Sequence, residues 1–140
     1  MPTASVLFVC VKNGGKSQMA AALMRKTTGD RIAVHSAGTT PGSSLNALSM
    51  QVLDEVGAPT VGEYPKPIDP QLLGEVDLVV TLGGEARVDA PTGVVVENWD
   101  IDEPSERGID GIERMRLVRD DIAVRVEELA TRLLSDADAR

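Results

Sequence analysis

Cys10 is the only cysteine among 140 residues, and it opens the segment Cys10-Val11-Lys12-Asn13-Gly14-Gly15-Lys16-Ser17. The apolar run Val6-Leu7-Phe8-Val9 precedes it. That order is expected where a buried strand ends and a helix begins. A glycine-rich, lysine-bearing loop at that junction can wrap its backbone N–H groups around a tetrahedral oxyanion, and the helix N-terminus adds partial positive charge. The same field favours a thiolate over a thiol. The combination describes a nucleophile aimed at an oxyanion.

The residue types suggest individual roles. Cys10 is the thiolate, either attacking the oxyanion or hosting an adduct. Ser17, at the helix start, can donate a hydrogen bond to the sulfur and favour its ionised form. Lys16 is the cation for the anion, a point charge without the two-pronged fork of arginine. Gly14 and Gly15 let the loop curl so that its amides converge, and Asn13 suits a left-handed turn that braces it. Val11, Lys12, Asn13, Gly14 and Gly15 thus form the substrate-binding segment. Lys12 is either a solvated charge or an aid to drawing in the anion. Two kinds of loop compete for this pattern. A nucleotide-binding loop, Gly-x4-Gly-Lys-Ser/Thr, matches at Gly15-Lys16-Ser17, but Cys10 stands at its opening glycine and no strand ends in a clear magnesium-binding aspartate. A cysteine-phosphatase loop, Cys-x5-Arg-Ser/Thr, matches with Lys16 in place of the arginine. In such a loop the thiolate attacks the central atom in line while amides and the cation hold the equatorial oxygens.

The elements that must position this loop follow from apolar patterning. Ala4–Val9 and Asp77–Leu82 read as continuous buried strands, Ile32–Ser36 as a short one and Val94–Glu97 as a fourth. Ser17–Thr27 reads as a helix with Gly29 near its end, and Leu45–Val56 as a second with Gly57 as a stop. Asp69–Glu75 is a short helix with Pro70 in its first turn. From about Gly108, Ile112, Met115, Val118, Ile122, Val126, Leu129 and Leu133 recur at three- and four-residue steps, and Ser135–Arg140 reads as frayed. This order predicts an α/β fold over residues 1–140, one domain with an open parallel four-stranded sheet and helices on both faces. Ligands in such sheets bind at the C-terminal ends of strands, where Cys10 falls.

Composition narrows the classes. The net charge of −8 argues against nucleic-acid or acidic-membrane partners. A single cysteine excludes an intramolecular disulfide and a cysteine-based zinc site, so no metal is expected. No signal peptide or membrane span is legible, which makes the cytoplasm the expected compartment. With only Phe8, Tyr64 and Trp99 as aromatics, aliphatic residues and methionine must build the core. Trp99 is a packing or rim residue, as is Tyr64. His35 reads as structural, and Arg87 and Arg107 as surface charges.

The chain resembles the low-molecular-weight phosphotyrosine phosphatase fold and, within it, the arsenate reductases. The resemblance rests on Cys10, Asn13 and Ser17, then on Ser36-Ala37-Gly38-Thr39, Val80-Thr81-Leu82, Trp99-Asp100-Ile101-Asp102-Glu103-Pro104 and Val118-Arg119-Asp120-Asp121-Ile122. It implies that an acid before Pro104 protonates the leaving oxygen, a role open to Asp102 or Glu103. Thioredoxin-coupled members carry two further cysteines after the third strand. Gly83 and Ala90 stand there, so internal resolution is impossible. The loop, with Glu63-Tyr64-Pro65-Lys66-Pro67-Ile68 and Asp102-Glu103-Pro104-Ser105-Glu106-Arg107-Gly108, is similar to actinobacterial arsenate–mycothiol transferases. That similarity implies arsenate as substrate, mycothiol as co-substrate with no bound cofactor, and a glutaredoxin-like mycoredoxin that releases arsenite. A phosphotyrosine phosphatase and a non-catalytic oxyanion-binding paralogue are the alternatives.

Overall fold

Central to the sheet is β1 (Ala4–Cys10), which from Val6 onward is buried and apolar on both faces. The computed structural model describes residues 2–138. Strand β2 (Ile32–Gly38) lies on one side of β1, β3 (Leu78–Leu82) on the other, and β4 (Val95–Trp99) at the edge. All pairings are parallel, with Cys10 opposite Gly38 and Val9 opposite Thr81. The expected open four-stranded parallel sheet is therefore present.

Successive side chains of a strand point to opposite faces. Val6, Phe8 and Cys10 accordingly join one cluster, with Met19, Met24, Val52, Leu53, Ile122 and Val126. Those partners come from α1 (Lys16–Thr28), α2 (Ala47–Asp54) and α4 (Gly111–Asp138). Leu7, Val9 and Val79 face the other way, onto Ile68, Leu72, Leu73 and Val76 in and around α3 (Pro70–Glu75). Phe8 is fully buried with its ring 5.7 Å from that of Trp99. Truncating such a ring costs about 3–5 kcal/mol, so this pair is a main anchor of the larger core.

Local chemistry sets the element ends. Asp69 caps α3 by accepting from the Gln71 N–H at 3.0 Å, with Pro70 in the first turn. Gly29, at φ 60°, closes α1. The second helix starts at Ala47 rather than Leu45, because Asn46 caps it through Ser49 N–H at 2.9 Å. The last helix starts at Gly111 rather than near Gly108. Residues Pro104–Arg107 form a 3₁₀ turn that patterning does not reveal, ended by Gly108 in the left-handed region. Helix α4 continues to Asp138, across residues expected to fray, and residues 139–140 lie outside the described ones. Strand β2 runs two residues longer than expected, to Gly38, and β4 is displaced, beginning at Val95 and ending two residues later, at Trp99. Among the described residues no helix is long and apolar enough to cross a membrane.

Candidate active site

Between β1 and α1 the chain turns back on itself with every carbonyl from Cys10 to Gly15 engaged outward. Thr39, Thr40 and Gly42 N–H groups donate to the carbonyls of Cys10, Val11 and Lys12 at 3.1, 2.8 and 2.9 Å. Gln18 Nε2 donates to the Asn13 carbonyl at 3.1 Å. Asn46 and Met19 N–H groups donate to the Gly14 and Gly15 carbonyls, both at 2.8 Å. With the oxygens turned out, the amides are left to the concave side. The N–H groups of Gly14, Gly15, Lys16 and Ser17 have no acceptor among the described residues. Free amides nested at a helix start are suited to holding an anion.

The sulfur is held at its base. Cys10 is buried, with Sγ 2.9 Å from Ser17 Oγ and 3.3 Å from the Asn13 N–H that points at it. Asn13 sits at φ 54°, the left-handed conformation its residue type tolerates. Its amide orientation is fixed by its partners. Oδ1 accepts from the Lys66 backbone N–H at 3.1 Å and from Gln18 Nε2 at 3.2 Å, so Nδ2 is the end that donates to Ser17 Oγ at 2.7 Å. Since Ser17 Oγ already accepts from Asn13, its own proton is free to donate to Cys10 Sγ. Two donors, Ser17 O–H and Asn13 N–H, thus converge on the sulfur.

Glycine at position 38 makes this packing possible. A Cβ there would lie 2.7 Å from the Val11 carbonyl oxygen and 3.0 Å from Asn13 Cβ. Above the sulfur, a hollow of about 440 Å³ is lined by Cys10, Val11, Lys12, Lys16, Leu82, Gly83, Gly84 and Glu85. Lys16 Nζ would be 3.9 Å from a Cβ on Gly83, which itself adopts φ 91°. Position 83 therefore borders the hollow, and there is no thiol in it.

The two candidate acids are separated. Asp102 turns outward into a two-pronged bridge with Arg107, at 2.7 and 3.0 Å, which lowers its carboxyl below the usual range. Glu103 accepts from Ser105 Oγ and bridges Arg114 at 2.6 Å. Its proton affinity is lowered first by Ser105, then by Arg114, and also by the charge of Lys16. Only Glu103 thus shares the field of the loop cation.

The sequence model of one family, low-molecular-weight phosphotyrosine protein phosphatase, matches residues 5–139. The chain belongs to this family. Among curated relatives, an arsenate reductase of Bacillus subtilis is 33% identical over 131 residues, 89% of this chain and 94% of that one. Among solved structures, a thioredoxin-dependent arsenate reductase of Corynebacterium glutamicum superposes with a TM-score of 0.81 at 30% identity. It covers 96% of this chain and 64% of that longer one. An arsenate reductase in its phosphate-binding state gives 0.78 at 28% identity, covering 93% and 98%.

Within this low-molecular-weight phosphatase fold, Cys10, Val11, Lys12, Asn13, Gly14, Gly15, Lys16 and Ser17 come together as the sequence suggests. Lys12 is exposed at the rim, shared by the hollow above Cys10. Trp99 is buried core and His35 is half-buried on β2. Burial, then Arg25 and Lys66, lowers the proton affinity of His35. Arg87 is exposed, and Arg107 is the partner of Asp102. Sequence reasoning missed Gln18, Lys66, Ser105 and Arg114. Gln18 Nε2 reaches Asn13 and the Tyr64 carbonyl at 3.2 Å, tying α1 to the segment before α3. A polar residue in the first turn of a helix was the available signal for it. Nothing local marked the others.

Proposed function

We propose that the protein is an arsenate reductase of the transferase kind, joining arsenate to mycothiol for mycoredoxin to reduce to arsenite. One observation carries the reading: a loop that turns two donors onto the chain's one cysteine sulfur, facing Gly83 where an internal resolving thiol would have to reach. Similarity to arsenate reductases supplies the substrate class. Arsenate sits on the free amides of Gly14–Ser17, with Lys16 as counter-charge and Cys10 Sγ in line with arsenic. In net terms one sulfur–arsenic bond forms, one arsenic–oxygen bond breaks, and the oxygen leaves as water with the thiol proton. Arsenic stays pentavalent at this step. Reduction follows when a mycoredoxin thiol attacks the adduct's mycothiol sulfur: a mixed disulfide forms, the sulfur–arsenic bond breaks with its electron pair passing to arsenic, and arsenite leaves. Glu103 is the acid at the leaving oxygen, since an anion arriving beside Lys16 raises its proton affinity. The protein acts in the cytoplasm, where the free thiol stays reduced.

The phosphatase reading is weaker. The turn after Glu103 offers Ser105 and Glu106 and no aromatic to grip a phenol ring. The test is arsenate consumption with mycothiol and mycoredoxin, beside thioredoxin alone and an aryl phosphate. Efficient arsenate turnover is expected with the mycothiol system and not with thioredoxin alone, and it is lost in Cys10→Ser with the fold intact. Multiple turnovers with thioredoxin and no small thiol would sink the idea, as would activity retained by the serine variant.

A further inference from the structure

Beside the hollow above Cys10 lies a larger one, about 710 Å³, that shares with it only Lys12 and Lys16. It runs from the back of the anion loop to α4, between Ser43 and Ala47 on one wall and Arg114 and Met115 on the other. Both loop glycines line it. A Cβ on Gly14 would stand 3.2 Å from the Ser44 carbonyl oxygen, and one on Gly15 would stand 3.3 Å from Ser49 Oγ. Glycines at these positions therefore let the loop pack closely against Ser44 and Ser49 at the edge of this space. Its size lies within the ordinary range of small-molecule sites, about 300–1,000 Å³.

The lining selects a chemistry. The exposed hydroxyls of Ser43 and Ser44 and the Asn46 amide nitrogen offer polar partners, beside Met115 and Val118, while Ser49 Oγ and Asn46 Oδ1 are bonded to each other. The cations Lys12 and Lys16 sit at the loop end, and Arg114, on the α4 wall, is already bridged to Glu103. Hydroxyls beside apolar side chains suit a sugar-like body better than a fully charged one. The cationic end suits an oxyanion. Cys10 is the sole cysteine, so the second thiol of the reaction must come from solution and reach arsenic from an adjoining space.

We infer that this hollow seats the body of a polyhydroxylated low-molecular-weight thiol, with its sulfur passing between Lys12 and Lys16 to the Cys10 pocket. The inference rests on the proposed transferase reading and adds its co-substrate site. Ala47, exposed in the first turn of α2, and Ser43, exposed in the preceding loop, border it without belonging to the anion loop.

The probe is unreactive S-methyl mycothiol, with inorganic phosphate occupying the anion loop. Its addition shifts the amide NMR signals of Ser43, Ala47 and Met115. Ala47→Trp and Ser43→Trp each weaken that binding about tenfold or more, with phosphate binding and thermal stability unchanged. In turnover, KM for mycothiol rises in both variants while KM for free cysteine, which lacks the sugar-like body, stays put. Signals that shift only elsewhere would overturn the site. So would equal mycothiol binding by wild type and two folded variants, or KM values for cysteine and mycothiol that rise together. Binding at these residues without arsenate consumption would leave the site standing and remove the transferase reading.

Discussion

The backbone N–H of Lys66 donates to Asn13 Oδ1 at 3.1 Å, joining two residues 53 apart in the chain. That bond sets which end of the Asn13 amide faces Ser17, and so which way the Ser17 proton points. A segment with no catalytic group of its own thereby controls the environment of Cys10.

Asn13→Asp reverses this relay at nearly constant shape. A carboxylate accepts where the amide donated, so Ser17 turns its proton away from the sulfur. The left-handed backbone tolerates aspartate, and the fold should survive. One charge-assisted hydrogen bond is worth about 1.5–3 kcal/mol, so alkylation of Cys10 by iodoacetamide at neutral pH should slow by about tenfold or more. An unchanged rate would show that Ser17 donates to sulfur independently of Asn13.

Gly38→Ala is the corresponding steric test. Its methyl group would meet the Val11 carbonyl at 2.7 Å, backbone that cannot step aside cheaply. Overpacking of this kind costs about 1–3 kcal/mol. A lower denaturation midpoint with weakened phosphate binding is expected, because the strain falls on the anion loop itself. Gly74→Ala, with nothing within 4 Å of the added Cβ, is the control.

Ser105→Ala addresses the acid. Ser105 is the largest of the influences that hold the Glu103 carboxyl below its ordinary range. Removing it should move the Glu103 titration upward, read from its side-chain carboxyl carbon by NMR. The sign for stability follows. A depressed carboxylate stabilises the fold above its unfolded value and loses that contribution as pH falls through the folded one. The variant should therefore lose its Arg114 bridge at a higher pH than wild type does. A downward movement of the titration would remove Ser105 from this role.

Lys16→Arg tests the departure from the arginine of cysteine-phosphatase loops. Arginine restores two-pronged recognition of an oxyanion. Aryl-phosphate hydrolysis and sulfate binding should rise, by about tenfold if one charged hydrogen bond of roughly 1.5 kcal/mol is regained. Arsenate–thiol transfer should not rise in step, because Lys16 also borders the larger hollow that the thiol would enter. Equal gains in both kinetic constants would mark Lys16 as a plain weakening of the site.

The tight loop that follows Cys10 and the parallel sheet were legible from residues 4–17 and from the apolar runs, since both depend on local chemistry. An apolar β-branched run must be buried, and glycines followed by Lys16-Ser17 must turn and start a helix. Asn13 could be foreseen in a left-handed turn because that preference belongs to the residue itself. Only the tertiary structure decided what lies against the loop. Gly38, Gln18 and Lys66 act through contacts between elements distant in sequence, and no spacing encodes those. The same holds for the acids. Asp102 and Glu103 are adjacent and chemically alike, and what separates them is a 3₁₀ turn that sends one to Arg107 and the other to Ser105 and Arg114. Side-chain direction at a turn depends on backbone angles set by packing, so two neighbouring carboxylates that sequence leaves equivalent become different in three dimensions.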